Sequence, residues 1–319
     1  MYNNLLATSE DWLKYAIWTN LLGEDKNSLQ ELRNNAVNCE KIKLFLNDIT
    51  DFHSITVTNH KNPVLPIYKL NFLLDIGLDS AIPQIKNAID EVLKHKDENG
   101  VYLSLINIPK HFGGSGENLF AWCLCDAPLL LYALLKAEVN YKKYIEQGVK
   151  YLLTFYKQNG YSCTVSSSLG KFRGPGRKDD CCPYATLLMA KLLSYIPEYK
   201  NSSIAYELVE ALLSLWEKST EKHPYMFYMG TDFRKLKAPE IWYDILSVSD
   251  VLSRFENVRK DKRFIEMISI IKEKQDDNGF FTPDAIYLKY KDWDFGQKKI
   301  PSAYLSYLCL KILKQAGYE

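Results

Sequence analysis

Carboxylates stand close to aromatic residues at several places along the chain. The sets are Trp122 with Asp126; Asp179 and Asp180 with Tyr184; Trp242 and Tyr243 with Asp244; and Trp293 with Asp294. A carboxyl group in such a place can donate or accept a proton, and aromatic faces stabilise cationic carbon and pack against apolar chains. The candidate catalytic residues are therefore Asp126, Asp179, Asp180 and Asp244, and the candidate substrate contacts are Trp122, Tyr184, Trp242 and Tyr243.

Two of these carboxylates differ in their sequence context. Asp126 precedes Ala127 and Pro128, and because proline suits the first turn of a helix, the context predicts that Asp126 caps one. Asp244 lies in the apolar run IWYDIL, where a buried carboxylate needs a cationic partner or a raised pKa. The context favours a structural role for Asp126 and a chemical role for Asp244.

Cationic residues collect in the loops that precede the aromatic and acidic sets. They are His60, Lys61, Lys110, His111, Lys171, Arg173, Arg177, Lys178, Arg234, Lys235, Lys237, Lys298 and Lys299. Helix N-termini carry partial positive charge, so such loops can form an anion site for a phosphate, a diphosphate or a carboxylate. Lys61, Lys110 and Lys235 are typical of solvated loops. The candidate substrate-binding residues are Arg173, Arg177, Lys178, Arg234, Lys237 and Lys298.

Composition excludes several classes of protein. The chain has 319 residues, of which 47% are hydrophobic and 25% charged, so it can bury a large core. Lys and Arg number 40 against 39 Asp and Glu, which gives no basic field for nucleic acid. No apolar run is long enough for a transmembrane segment and no signal pattern is present. Seven scattered cysteines form a poor disulfide framework, and we expect a cytoplasmic protein with reduced thiols.

The helices that must position these residues follow from an internal repeat. Residues 71–100 and 131–160 align over 30 positions without a gap, and a third copy at 250–279 ends in the same register. The equivalent apolar positions are Ile85, Ile145 and Phe264; Ile89, Val149 and Ile268; and Val92, Leu152 and Ile271. Their offsets of four and three place them on one helix face. Each copy ends in Asn-Gly, which predicts a glycine cap at the helix C-terminus.

Two alternating series of helices result from this repeat. The first series covers 9–22, 64–77, 119–137, 182–195, 240–255 and 301–315, and the second covers 28–48, 81–96, 141–158, 203–219 and 261–275. The first series is apolar nearly all round, which favours burial on every side. We expect one all-α domain over residues 1–319, an α/α toroid of about five to six helical hairpins with inner and outer helix rings.

Several segments resemble a known superfamily. The turn QDDNGFF at 275–281 resembles the glutamine-and-aromatic repeat motifs of terpenoid (squalene) cyclases and protein prenyltransferases, and QNGY and DENGVY are weaker versions. The segment GKFRGPGRKDDCCPYATLLMAKLL at 170–193 is similar to the zinc- and diphosphate-binding segment of prenyltransferase β subunits. The resemblance implies an α/α toroid, a zinc pair at Asp180 and Cys182, and a diphosphate contact at Arg177 or Lys178.

Departures from the family pattern limit the chemistry that the resemblance implies. The prenyltransferase zinc site also needs a histidine near the start of the last inner helix, and KKIPSAYLSYL at 298–308 has none. Zinc at Asp180 and Cys182 is therefore not expected unless His111 or His223 supplies the third ligand from another loop. The class II cyclase acid motif D-x-D-D reads Arg177-Lys178-Asp179-Asp180 here. A cation at the first position would keep Asp179 ionised, the wrong state for a general acid. A magnesium ion is left open.

Three hypotheses for function remain. The first is an isoprenoid-processing enzyme, related to terpene cyclases and prenyltransferases, that binds a prenyl diphosphate or a similar anionic lipid-like substrate in the toroid cavity. The second is a non-catalytic toroid that binds a small anionic ligand or a peptide. The third is a sugar-active toroid with paired carboxylates, such as Asp180 and Asp244. No partner subunit is indicated.

Overall fold

The computed structural model describes residues 2–170, 180–219, 221 and 227–318. The chain is mostly helical, which confirms the all-α class that the sequence predicts. Its contacts divide it into two compact units: unit 1 comprises Met1–Phe45, Asp75–Leu78 and Met229–Glu319, and unit 2 comprises Leu46–Leu74 and Asp79–Tyr228. Within the described residues, no helix has the length and hydropathy that crossing a membrane requires.

The α-helices of the described residues follow the repeat, with short pieces between them. In chain order they are α1 (Tyr2–Thr8), α2 (Asp11–Ala16), α3 (Gln30–Asn38), α4 (Glu40–Asp48), α5 (Pro66–Asp75), α6 (Pro83–Lys94), α7 (Ala127–Lys136), α8 (Tyr141–Tyr144), α9 (Glu146–Leu153), α10 (Pro183–Leu193), α11 (Pro197–Lys200), α12 (Ser203–Glu217), α13 (Ile245–Ser253), α14 (Lys262–Lys272) and α15 (Ala303–Ala316). A π-helical segment, Ile17–Leu22, continues α2. Strands β1 (Ser104–Ile106) and β2 (Leu119–Ala121) pair antiparallel, as do β3 (Tyr156–Lys157) and β4 (Gly160–Tyr161).

The helices are of two kinds, as their apolar patterns predict. Helices α7, α10 and α13 are buried along almost their whole length. Helices α6, α9 and α14 bury one face, and the nine equivalent positions of the repeat all lie on that face. In unit 2, α7 contacts α6, α9 and α10, and α10 contacts α12; in unit 1, α13 contacts α14 and α15.

The Asn-Gly sequences do not cap the helices, so that prediction is wrong. Helices α6 and α14 end at Lys94 and Lys272, and Gly100 and Gly279 lie further along, in tight turns with φ of 82° and 86°. In the first turn the Asp97 carboxylate accepts the backbone N–H groups of residues 99 and 101, at 3.0 and 2.8 Å. Asp276 does the same in the later copy. The aspartate side chain therefore organises each turn.

Two buried helices begin later than the sequence predicts. Residues 119–121, expected in a helix, form β2, because their backbone groups pair with β1. Helix α7 begins at Ala127, and α13 begins at Ile245 rather than at 240. The residue just before each helix is an aspartate, Asp126 or Asp244, and both are candidate catalytic residues.

Candidate functional site

The carboxylate of Asp126 is buried and is not used as a helix cap. The residue is 1% exposed, and its side chain makes no hydrogen bond to the first turn of α7. Instead, Oδ1 accepts the backbone N–H of Cys123 at 3.0 Å, and Oδ2 lies 3.3 Å from Nε2 of His60. The predicted capping role of the Asp126 side chain is therefore wrong.

Two tyrosines extend this pair into a chain of polar groups. The hydroxyl of Tyr68, on α5, donates to the backbone carbonyl of His60 and lies 3.3 Å from the hydroxyl of Tyr184, on α10. The His60 side chain is 17% exposed, so the pair lies near a surface that solvent or a ligand can reach. We call Asp126, His60, Tyr68 and Tyr184 the Asp126 cluster.

The Asp126 cluster can transfer a proton. With its hydrogen on Nδ1, neutral His60 accepts at Nε2 from the protonated carboxyl group of Asp126, and with its hydrogen on Nε2 it donates to the carboxylate. The N–H of Cys123 donates to Oδ1 of Asp126. A buried carboxyl group with this support can release a proton to a bound molecule and recover it later.

Cys123, together with His60 and Asp126, could hold a metal ion. His60, Cys123 and Asp126 each offer a ligand atom, and these atoms lie within 4.8 Å of one another. Burial, and secondly the charge of Asp126, raise the pKa of the Cys123 thiol well above its ordinary value, so in the metal-free protein it stays protonated. A soft divalent ion at these three residues would occupy the carboxylate that proton transfer needs.

Further thiols lie close to this place. The thiols of Cys125 and Cys163 are hydrogen-bonded, and that bond together with burial raises the pKa of Cys125. Cys182, of the predicted zinc pair, is 5% exposed, and burial raises its pKa to about 12. Asp180 is half-buried. Among the described residues, neither Asp180 nor Cys182 belongs to a cluster of three metal-ligating groups.

Asp244 caps a helix, although its sequence context favours a chemical role. Its Oδ1 accepts the backbone N–H of Ser247 at 2.9 Å, at the start of α13. Burial raises the pKa of Asp244 to about 6, while hydrogen bonds to Ser247 and the charge of Lys237 oppose the shift. Lys237 lies over the ring of Tyr287, with Nζ at 3.4 Å from the ring centre, and burial lowers its pKa. Of the two expectations for a buried carboxylate here, a cationic partner or a raised pKa, burial favours the second.

The other candidate substrate contacts lie in various settings. Trp122 is 3% exposed, its indole N–H donates to Asp97 at 3.0 Å, and its ring packs against Tyr151 and Phe155. Trp122 thus supports the turn after α6. In unit 1, Tyr243 is buried, Trp242 half-buried, and Arg234 and Lys298 exposed. Arg173, Arg177, Lys178 and Asp179 lie outside the described residues.

A cavity of about 540 Å³ in unit 1 has apolar walls and an acidic rim. Trp12, Leu13 and Phe280 line it together with the carboxylates of Glu10, Asp276 and Asp294. Asp294 serves the start of α15, where its Oδ2 accepts from the N–H of Tyr304 at 3.0 Å. Among the described residues that line this cavity, none is lysine or arginine, so it does not suit a diphosphate.

Three of the four residues of the Asp126 cluster are identified from the sequence, by two different patterns. Asp126 and Tyr184 are candidates from the aromatic and acidic pattern, and His60 is one of the loop cations. Tyr68 is missed, because nothing local distinguishes a tyrosine near the start of an apolar helix. The structure brings these four together from three separate stretches of the chain.

Comparisons with known proteins give a distant likeness. No protein-family model matches the chain, and no curated protein does. Among solved structures, the chain is similar to a protein from Actinoplanes at 11% identity and a TM-score of 0.44, over 96% of this chain and 90% of that one. It is also similar to the type II terpene cyclase MstE from Scytonema.

Two structures of that cyclase are matched at 12% identity, each over 97% of this chain and 88% of the other. One holds the product merosterolic acid A, with a TM-score of 0.44. The other holds the substrate geranylgeranyl dihydroxybenzoate, with a TM-score of 0.45. The likeness concerns the fold alone.

Proposed function

We propose that this chain is an isoprenoid-processing enzyme, related to terpene cyclases and prenyltransferases, in which Asp126 and His60 transfer a proton. The observation that carries the proposal is the contact of 3.3 Å between His60 and the carboxylate of Asp126, which is 1% exposed. Both oxygens of this carboxylate have partners, and neither partner belongs to the first turn of the helix that Asp126 precedes. A carboxyl group paired with an imidazole in this way is placed for proton transfer.

The proposed reaction starts with protonation of an alkene. The carboxylic acid of Asp126 gives its proton to one alkene carbon, the π electrons form the new C–H bond, and the other carbon becomes a tertiary cation. The remaining carboxylate is stabilised by hydrogen bonds from Cys123 and His60. Attack by a second alkene closes a ring, and loss of a proton to a base then restores a double bond. The product is therefore an isomer of the substrate, and the complete reaction consumes no proton.

The anionic head of the substrate is assigned to the cationic segment before α10. Arg173, Arg177 and Lys178 belong to this segment, and it leads within a few residues to Tyr184, whose hydroxyl lies 3.3 Å from that of Tyr68. Guanidinium and ammonium groups bind a diphosphate or carboxylate through charge-assisted hydrogen bonds, which is the basis of this assignment.

The proposal includes the architecture expected from the sequence, a single α/α toroid over residues 1–319. The two kinds of helix support it, because an inner ring requires helices buried on all sides and an outer ring requires helices with one buried face. Helices α7, α10 and α13 are of the first kind, and α6, α9 and α14 are of the second.

The test is incubation of the purified protein with a panel of prenyl diphosphates and prenylated aromatic acids, with and without magnesium, followed by mass analysis of the products. Protonation predicts a product of unchanged mass that forms without magnesium. Release of diphosphate that depends on magnesium would assign ionisation of the substrate instead. If substrates bind and none is converted, the non-catalytic hypothesis replaces this one.

Two matched variants separate the site from general effects on folding. Asp126→Asn removes the proton donor and should lower turnover by about 10²–10⁴-fold. Asp244→Asn makes the same change at a buried aspartate of unit 1 and should leave turnover close to that of the wild type. Equal activity in the Asp126 variant and the wild type would overturn the assignment of Asp126.

A further inference from the structure

A second group of metal-ligating side chains lies in unit 2, outside the Asp126 cluster. His53, Glu91 and His95 each place a ligand atom within 4.8 Å of those of the other two. Glu91 lies on the last turn of α6, His95 directly follows that helix, and His53 lies in the loop between α4 and α5. Two stretches of the chain that are distant in sequence therefore converge at one place.

One spacing between donor atoms matches that around a single ion. Nε2 of His95 lies 3.2 Å from Oε1 of Glu91. Two ligands of a tetrahedral zinc ion, bound at about 2.0–2.1 Å, lie about 3.3 Å apart. The imidazole rings of His53 and His95 have their centres 4.8 Å apart and are nearly perpendicular, at 83°. The remaining distances between donor atoms, which are within 4.8 Å, must shorten for one ion to bind all three side chains.

His53 carries a polar atom that needs a partner. Its Nε2 is buried, and within the described part of the chain no hydrogen-bonding group reaches it. Buried polar side-chain atoms are normally satisfied by a protein group or by ordered water. An ion held between the three side chains would give this imidazole a partner.

Neighbouring groups fix the orientation of the three side chains. The ring of Phe120 stacks on His95 with centres 3.9 Å apart and also contacts His53 at 5.0 Å. Lys94 binds Oε2 of Glu91 at 2.6 Å, which leaves Oε1 directed at His95. Partners of this kind orient the ligands of metal sites.

A cavity of about 480 Å³ lies beside Glu91. Asp51, Phe52 and Asn87 are among the residues that line it. Because Glu91 itself is part of this lining, water and small molecules can reach the carboxylate from the cavity. Of the three potential ligands, Glu91 is the one that lines this cavity, and a water from the cavity would supply the fourth ligand found in zinc sites that keep a bound water.

We propose that His53, Glu91 and His95 form a binding site for one divalent transition-metal ion, with zinc as the occupant and with water from the cavity as the fourth ligand. Two imidazoles and one carboxylate suit zinc or ferrous iron. Magnesium and calcium prefer oxygen ligands throughout, so they do not fit. The site is independent of the proposed proton transfer, because it shares no residue with the Asp126 cluster.

The experiment is a calorimetric titration of the chelator-treated full chain with zinc chloride. We expect one zinc ion per chain, and His95→Gln or Glu91→Gln should weaken binding by about 100-fold or more, since loss of a ligand costs more than loss of an outer-shell partner. The matched control is His111→Gln, because His111 is exposed and belongs to neither cluster of potential ligands. Circular dichroism of each variant shows that it is folded.

Replacement of zinc by cobalt identifies the ligands directly. The proposed site contains no sulfur, so cobalt bound there gives visible ligand-field bands without the near-ultraviolet band of a cobalt–thiolate bond. Such a thiolate band, lost in Cys123→Ser, would place the ion at His60, Cys123 and Asp126 and would overturn the proposal. Failure of the wild-type chain to bind zinc, or unchanged binding in His95→Gln and Glu91→Gln, would also overturn it.

Discussion

Asp126 and Asp244 both precede the first turn of a buried helix, and their carboxylates have different partners. In α13, the N–H of Ser247 is available and bonds to the Asp244 side chain. In α7, Pro128 has no N–H, and the N–H of Leu129 already bonds to the backbone carbonyl of Asp126 at 2.8 Å. The Asp126 carboxylate bonds to neither of these positions and contacts the N–H of Cys123 and the ring of His60 instead.

The raised pKa of Asp244 predicts a pH dependence of stability. Burial raises this pKa from 3.8 to about 6, so the folded state holds the proton to a higher pH than the unfolded state does. The stabilisation is complete below the lower pKa and is lost as the pH rises through about 6, an effect of about 3 kcal/mol. Asp244→Asn removes this titration. Its free energy of unfolding in urea should rise, relative to the wild type, between about pH 4 and pH 7.

Asp261 provides a control of opposite sign. It caps α14 as Asp244 caps α13, but the hydrogen bond from Arg263 lowers the pKa of Asp261. The stabilisation from Asp261 is present at high pH and is lost as the pH falls through its folded pKa. Asp261→Asn should therefore lose stability relative to the wild type as the pH rises. If both variants follow the same trend, burial of Asp244 does not control its titration.

The turn after α6 and helix α9, both in unit 2, come into close contact at two glycines, Gly100 and Gly148. The turn after α6 packs on α9, so that a Cβ on Gly148 would lie 2.3 Å from the carbonyl oxygen of Gly100. Gly148→Ala must push the turn and the helix apart. We expect a loss of about 3 kcal/mol or more in the free energy of unfolding, measurable as a lower melting temperature.

Gly317→Ala is the matched control for that close approach. Gly317 has a positive φ of 87°, and a Cβ there would meet no atom within 4 Å. The only cost is backbone strain, about 1 kcal/mol. Equal losses in the two variants would show that the contact between the turn and α9 does not matter for stability.

A buried group of charges joins α13 to α15 in unit 1. The carboxylate of Asp250 binds Nζ of Lys311 at 2.9 Å and also binds the guanidinium of Arg254, and all three side chains are at most 15% exposed. Asp250→Asn leaves two buried cations without their counter-charge. We expect it to cost about 3–5 kcal/mol in urea unfolding.

The surface pair of Lys274 and Asp284 gives the comparison for Asp250. Its side chains are 30% and 36% exposed, and such pairs contribute about 0–1 kcal/mol. Lys274→Met should therefore have little effect on unfolding. A similar loss for Lys274→Met and Asp250→Asn would contradict the role given to burial.

The sequence predicts the helices better than the contacts between them. The apolar positions of the repeat, such as Ile85, Val149 and Ile271, lie on buried faces because burial determines both the pattern and the packing. The start of α7 could not be predicted, because the residues before it form β2. That short strand is held by backbone pairing, which produces no periodic pattern of side chains in the sequence. The sequence spacing of four between Glu91 and His95 is visible without a structure, although His95 lies just beyond the end of α6. The convergence of this pair with His53 is not, because that depends on a loop.

Both proposed sites belong to one of the two compact units. The Asp126 cluster and the group of His53, Glu91 and His95 lie in unit 2, whereas the charges around Asp250 lie in unit 1. Substitutions around Asp250 therefore change no residue of either site. The loop between α4 and α5 supplies both His53 and His60, and no residue belongs to both sites.

The most direct test of the central claim is the reaction in deuterium oxide, with the position of the new isotope read from the mass spectrum of the product. Protonation of an alkene by Asp126 predicts a cyclised product with deuterium bound to carbon, formed about 10²–10⁴-fold more slowly by Asp126→Asn. A product without solvent deuterium on carbon, or one formed by Asp126→Asn at the wild-type rate, would contradict the account.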